Sequence, residues 1–328
     1  MNIYSTVDCK NLDKIICMFN SVYENSFNKK ELKFFIITDK ISVELPYIRD
    51  YLENILEIKE LTLDDDWKRI LKDFNNNFYK NSDWCKNDMN FARFLFFEIF
   101  PEVDRVLYLD WDMLVLADVF EIKKEYDNSD NMVVADCGKT TFSSNIFNEI
   151  FRKSLTYEEI YYKRFNRKFN KISLQIFDFL KLNVKDIEKL EGFNAGLYIV
   201  SKEHFEKRYM TDLIEKLIKI QKKFKCFNFG TQVVMNFMHI NNRVLIPKIW
   251  IHLPSVPNLL TLKIIHFNGV NKPWKDEESK NELWYSYFIK LYPDWVYPYK
   301  EKNINTNKIK KQNKNNLKLN KKIINYLR

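Results

Sequence analysis

The sequence predicts an α/β fold: a Rossmann-like mixed, mostly parallel sheet flanked by helices, with a basic C-terminal tail. Three observations predict it. Apolar runs of strand length alternate with stretches of helical period from the start of the chain, the pattern of strand–helix–strand units and so of parallel strands. The run Val106–Leu109 is apolar almost without interruption, as a strand covered on both faces must be. The 328 residues, 46% hydrophobic and 30% charged, have the composition of an ordinary globular chain with room for a large core.

Ile3–Val7 is a first strand, ending at Asp8. Asp13 offers an N-cap to a helix over Lys14–Glu24, where Ile15, Met18, Phe19 and Val22 recur at helical spacing. Leu32–Thr38 is a second buried strand, Val43–Asn54 a helix and Ile55–Glu60 a third strand, joined closely enough to imply crossovers onto one sheet. An apolar helix within Trp84–Phe100 is closed by Pro101, and Arg93 sits among its aromatics. Either the Arg93 head reaches solvent over a buried stem, or it is a buried cation facing an anion. Asn131–Cys137 is a strand containing Asp136. Residues 140–192, aromatic and basic, are too many for a plain connection and read as an insertion on the substrate side. Phe193–Val200 is a strand with Asn194-Ala195-Gly196 inside it. Ser201 opens an amphipathic helix to about Lys223; Gly230–Asn241 forms another, with Gln232 and Asn236 on one face. Leu262–Phe267 is a last strand and carries His266.

The chemistry centres on Arg105–Val119, where Asp110 and Asp112 interrupt an apolar run that resumes at Met113. In an extended segment, residues two apart share a side, about 6.5–7 Å apart along the chain. Carboxylates so placed can close on one hard divalent cation, and the ends of central strands are where open α/β sheets bind ligands. The plainer alternative is two acids ending a strand, one capping the next element and one solvated. His266 alternates with apolar neighbours, the setting of a core histidine or of a ligand. Joined to Asp110 and Asp112, it makes a set suited to Mn²⁺ or Mg²⁺ with positions left for phosphate oxygens. Asp8 and Lys272 add an acceptor for a base or ribose and a cation for phosphate. Together these describe a nucleotide-diphosphate site with a bridging metal.

The net charge of +9 lies in the tail: residues 300–328 hold ten Lys or Arg and one acid, Glu301, while the body balances 43 basic against 43 acidic residues. A nucleic-acid-binding protein, the competing class, would spread its cations over the folded body, whereas this body is neutral. Leu317, Ile324 and Leu327 fall near one helical side among lysines, after Trp295, Tyr297 and Tyr299. That tail reads as a reversible attachment to an anionic membrane surface; a solvated tail is the alternative. The five cysteines are scattered and form no C-x-x-C, the opening MNIYSTVDCK lacks a signal-peptide pattern, and no apolar window is long enough to span a bilayer. The expected location is cytoplasmic, at the inner face of the cell membrane.

Six blocks occur in order: STVD at 5–8, FAR at 91–93, RVLYLDWDMLV at 105–115, FNAG at 193–196, Gln232 with Asn236, and HFNGVNKPW at 266–274. On these, residues 1–298 resemble glycosyltransferase family 8, the retaining GT-A enzymes that include bacterial lipopolysaccharide galactosyl- and glucosyltransferases and glycogenin. The resemblance implies a GT-A domain followed by the tail at 299–328, and transfer of galactose or glucose from a UDP-sugar to a glycan or glycolipid acceptor. It implies that Asp110, Asp112 and His266 hold Mn²⁺ (or Mg²⁺). Thr6 and Asp8 would meet uridine, Trp111 the ribose, and Gly269 and Lys272 the diphosphate. Arg93, Asn194 and Ala195 would face the donor sugar, Gln232 its far side, and Asp136 the acceptor pocket. An amide carbonyl is a poor nucleophile, so the resemblance favours front-face attack assisted by the leaving phosphate. Thr231 and Val233 stand where the family usually has acids beside that glutamine, which bears on the donor sugar. A non-catalytic nucleotide-sugar-binding relative would lose the metal set; here all three ligands are present.

Overall fold

A computed structural model describes residues 1–41, 50–77, 88–126, 132–136, 178, 193–224, 231–239, 243–247, 250–251, 263–268, 272–274 and 282–292. Gly269, the tail 299–328, the start of the expected 43–54 helix and, Asp178 apart, the 140–192 insertion lie outside the described residues.

The apolar runs form the strands. β1 (Asn2–Val7), β2 (Lys33–Thr38), β3 (Leu56–Glu60), β4 (Arg105–Leu109), β6 (Met132–Asp136), β7 (Phe193–Ser201) and β8 (Arg243–Ile246) make one sheet in the order β3-β2-β1-β4-β7-β6-β8. The β1–β2, β2–β3, β1–β4 and β6–β8 pairs are parallel; β7 runs antiparallel to both β4 and β6. The sheet is therefore mixed and mostly parallel, as expected.

Period-two alternation sends successive side chains to opposite faces. Tyr4, Phe35, Tyr108 and Tyr198 enter one core, while Ile3, Phe34, Leu107 and Leu197 enter the other. The first core is covered by α3 (Asp65–Asn77), by the segment Met89–Phe100, and by α7 (Lys207–Phe224) and α8 (Thr231–Met238). The second is covered by α1 (Leu12–Asn25) and α9 (Glu282–Leu291). Each large apolar side chain so buried contributes about 1.5–3 kcal/mol, which is why β4 is apolar on both faces.

Several sequence expectations change. The single helix within 84–100 is broken: α4 (Met89–Ala92) and α5 (Phe96–Ile99) flank a 3₁₀ turn at Arg93–Leu95. The Tyr4 hydroxyl donates to the Arg93 carbonyl (2.9 Å), a group that a regular helix would commit to Phe97. Ser201 does not open α7; a 3₁₀ turn at Lys202–Phe205 intervenes, and the Ser201 hydroxyl donates to Glu203 (2.8 Å). Sequence reading missed α3, whose start is capped by Asp64 accepting the Trp67 N–H (2.8 Å), and it missed β8. The strand bearing His266 is shorter, β9 (Ile264–His266), and leaves the main sheet to pair antiparallel with β5 (Met113–Val115).

Candidate active site

β1 and β4 are parallel neighbours, and the chain leaves β1 for β2 on the opposite side, so their C-terminal ends flank a switch point of the sheet. Thr6, buried, and Asp8, half-buried, lie at the end of β1; Asp110 follows β4. A strand buried on both faces cannot carry carboxylates further, and the chain turns: the Met113 N–H donates to the Asp110 carbonyl (3.1 Å). Asp110 and Asp112 therefore sit on a turn, which corrects the expected extended geometry. The turn feeds β5, where Met113 faces His266, and the Phe267 N–H donates to the Asp112 carbonyl (3.0 Å). The β5–β9 ribbon thus delivers the imidazole to the two acids.

One ligand atom from each of Asp110, Asp112 and His266 lies within 4.8 Å of the others. Each acid has one anchored oxygen and one turned inward. Oδ1 of Asp110 accepts from the Tyr108 hydroxyl (2.7 Å) and from Arg93 (3.3 Å), while Oδ2 is 3.6 Å from His266 Nε2. Oδ2 of Asp112 is held by the Lys272 ammonium, which also donates to the Phe267 carbonyl (2.8 Å). Oδ1 of Asp112 is 3.2 Å from His266 Nε2, is buried, and accepts no hydrogen bond among the described residues. Outer contacts of this kind orient metal ligands. Burial alone would raise the Asp112 pKa, but His266 and Lys272 outweigh it and hold the carboxyl well below the usual range. Burial likewise opposes charge on His266, yet Asp112 and Asp110 raise its pKa.

Two hard oxygens and an imidazole nitrogen, with a buried oxygen left unbonded, suit a divalent cation of the Mn²⁺ or Mg²⁺ type. Binding through Nε2 must displace the proton that the acids favour there. Cation affinity is therefore expected to rise with pH and to level off only above the raised His266 pKa. A calorimetric Mn²⁺ affinity that stays flat between about pH 6 and 8 would contradict this.

Behind the acids, β7 makes a platform. Val134 of β6 faces Tyr198, but Ala135 faces Asn194, so Ala195, Gly196 and Leu197 bulge away from β6. Side chains and the end of β4 take up the backbone groups there. The Asn194 side chain accepts the Gly196 N–H (2.7 Å), the Gly196 carbonyl accepts the Asp110 N–H (2.8 Å), and the Ala195 carbonyl accepts Arg93 (2.9 Å). Sequence reading gave Gly196 no role of its own, yet a Cβ there would lie 2.6 Å from His266 Cε1 and 2.7 Å from both Asn194 Oδ1 and Asp110 Oδ2. Its backbone is outside the left-handed region, so what the position requires is space. In the sequence Tyr108 is one residue of an apolar run; in the structure its hydroxyl donates the shorter of the two side-chain hydrogen bonds to Asp110.

Arg93 is the buried cation facing an anion. Its guanidinium bonds Asn90 and Ala195 carbonyls and Asp110, and stacks 4.6 Å from the Tyr108 ring centroid. Burial opposes its charge, but Tyr108 and Asp110 outweigh that and raise its pKa. Trp111, half-buried between the acids, packs on Trp274 (4.9 Å between centroids), which packs on Trp284 of α9 (5.2 Å). Gln232, half-buried, lies in the first turn of α8. Asp136 ends β6 in register with Phe193; only its backbone is described. The structure thus gathers Arg93, Asp110, Asp112, Asn194, Ala195, His266 and Lys272 into one contact network, with Thr6 and Asp8 on the neighbouring strand end.

The sequence profile of glycosyl transferase family 8 matches residues 2–278. Glycosyltransferase 8 domain-containing protein 2 of Macaca fascicularis is 24% identical over 223 residues, 61% of this chain; the chain spans 58% of that relative's length. The same protein of Mus musculus is 23% identical over 299 residues, covering 82% of this chain and 76% of the relative. Among solved structures, the galactosyltransferase LgtC in complex with donor and acceptor sugar analogues is similar with a TM-score of 0.58 at 17% identity, over 90% of this chain and 97% of that one. At that identity the likeness shows the fold, which is GT-A.

Proposed function

The chain belongs to glycosyl transferase family 8, and from that premise we propose that this glycosyltransferase is a metal-dependent, retaining hexosyltransferase. Its donor is a UDP-sugar carrying galactose or glucose, and its acceptor a glycan or glycolipid of the lipopolysaccharide or lipooligosaccharide kind. The observation that carries this reading is the pair of inward carboxylate oxygens, one on Asp110 and one on Asp112, converging with Nε2 of His266.

A divalent cation held by Asp110, Asp112 and His266 would neutralise the departing diphosphate as a Lewis acid. Lys272 brings a second positive charge to the same oxygens, and Gly269 lies close by in sequence to bind the diphosphate through its backbone. Thr6 and Asp8 bind the uridine, and Trp111, braced by Trp274, offers the ribose an apolar face. Asn194 and Ala195 line the donor-sugar side. Arg93 places three of its five N–H donors on Asn90, Ala195 and Asp110, which positions the metal carboxylate and the platform while its remaining donors face the donor sugar. The anomeric carbon passes through an oxocarbenium-like state. Gln232 stabilises its far face through the amide carbonyl. The acceptor hydroxyl, near Asp136, attacks from the front; its oxygen bonds the anomeric carbon as the bond to phosphate breaks, and the leaving phosphate takes the proton.

The test is release of UDP from a panel of UDP-sugars, with Mn²⁺ and with excess chelator. Cation-dependent turnover of UDP-galactose or UDP-glucose is expected. No turnover of any UDP-sugar, or full rates in chelator, would overturn the reading.

No helix among the described residues is long and apolar enough to cross a membrane. The proposed attachment is peripheral, through the cations of 299–328, each contributing about 1 kcal/mol at an anionic leaflet. Deleting 303–328 is expected to abolish salt-sensitive binding to phosphatidylserine vesicles while sparing UDP-sugar hydrolysis. Undiminished vesicle binding by the truncated chain would rule the tail out as anchor.

A further inference from the structure

We propose that Asn236 is a positioning residue: its side-chain amide fixes the first turn of α8, and with it Gln232, against the platform of β7. This rests on the reading of the site as a UDP-sugar transferase and adds to it the group that sets where Gln232 stands.

Asn236 is fully buried, and its amide bonds backbone on both sides of the junction. Oδ1 accepts the Phe193 N–H (3.0 Å); Nδ2 donates to the Phe193 carbonyl (3.0 Å) and to the Gln232 carbonyl (2.8 Å). Both amide protons are therefore committed. The pairing of β7 with β4 ends at Leu197–Leu109, with one further bond from Asp110 to Gly196, so Phe193 lies beyond the reach of β4. Asn236 gives Phe193 what a residue of a neighbouring strand would give, one donor and one acceptor. An apolar residue of similar size would fill the space, but would leave both Phe193 groups unpaired in a buried setting.

The consequence is a continuous series of contacts. Gln232 is bonded to Asn236, and Asn236 to Phe193. Two residues on, the Ala195 carbonyl is bonded to Arg93, and Arg93 to Asp110. The far-face amide and the metal carboxylate are on elements remote in sequence, and Asn236 bonds the helix of the first to β7, the neighbour of the strand β4 that leads into the second. The acids keep their own anchors in Tyr108 and Lys272. Losing Asn236 therefore shifts Gln232 and leaves the cation ligands in place.

The test uses the full chain with Asn236→Leu and Asn236→Asp, assayed for UDP-sugar turnover and, separately, for Mn²⁺ binding by calorimetry. The Leu variant at every pH, and the Asp variant at the alkaline end where its carboxylate is ionised, are expected to lose about 10²-fold in kcat, in the range of a lost electrostatic stabiliser. KM, Mn²⁺ affinity and the calorimetric stoichiometry are expected to stay close to wild type, whereas a general loss of structure would lower the stoichiometry together with kcat. Asn236→Asp adds a signature. Ionised, it cannot donate; protonated, it again offers Phe193 one donor and one acceptor. Burial raises that carboxyl's pKa, so the ratio of variant to wild-type kcat is expected to climb as pH falls, and the Leu variant's ratio to stay flat. Unchanged kcat in both variants, a parallel loss of Mn²⁺ binding, or a flat ratio for Asn236→Asp would each overturn the proposal. A wild-type chain that turns over no UDP-sugar would instead overturn the transferase reading, and this inference with it.

Discussion

Asp112→Asn is expected to cost at least about 10³-fold in cation-dependent UDP-sugar turnover and to remove the Mn²⁺-induced rise in Tm. In the proposed site the residue offers an inward ligand oxygen and it also holds Lys272, so the substitution would strike the metal and the proposed phosphate cation together. The apo protein should be destabilised by ~1–3 kcal/mol. This is less than the roughly 3–5 kcal/mol of a broken, fully buried pair, because the Lys272 side chain is 14% exposed and its ammonium can turn to water. The sign with pH follows from the depressed Asp112 pKa. Its contribution is fully present above the ordinary carboxylate range and is lost as pH falls towards the folded-state value. The deficit of the variant should thus be complete at neutral pH and shrink on acidification. Thermal melts with and without Mn²⁺ at several pH values check both claims. An Mn²⁺ shift in the variant equal to that of the wild type would remove Asp112 from the ligand set.

Gly196→Ala is expected to be nearly as damaging although it removes no functional group. The added methyl would meet His266, Asn194 and Asp110 at 2.6–2.7 Å, closer than real Cβ contacts come. None of the three can yield freely: His266 is buried in the β5–β9 ribbon, Asn194 caps the Gly196 N–H, and Asp110 is tied to Tyr108 and Arg93. Overpacking of this kind costs about 1–3 kcal/mol in stability, which a domain of this size should survive. The ligand atoms must spread, and both Mn²⁺ affinity and turnover are expected to fall by about 10²-fold or more. Calorimetry on the folded variant decides it. Affinity within threefold of wild type would mean that the platform does not shape the cation site.

The sequence by itself determined the parts of this protein that depend on local pattern. Apolar runs of strand length predicted β1, β2, β4, β6 and β7 to within a few residues, since a strand covered on both faces has no choice of composition, and alternation predicted the edge strand β3. The two acids after β4 marked the site for the same reason: ionised groups at the end of a buried strand demand partners. The ordered motif blocks, from STVD to HFNGVNKPW, pointed to the family that the profile match shows. What tertiary structure alone decided is how distant segments are registered. The D-x-D triplet turns because β5 must leave the sheet to meet β9, and that pairing brought His266 beside the two acids. The Tyr108 hydroxyl, hidden inside an apolar run, became the anchor of Asp110. Arg93 could have reached solvent or an anion, and the packing of its 3₁₀ turn on β1 settled the choice. Gly196 and Asn236 stand within the motif blocks, but nothing local states their roles, because the need for a missing methyl or a two-sided amide arises only where β7 meets β4, β9 and α8. Periodicity is a property of neighbours along the chain; a close approach is a property of two segments that meet only after folding.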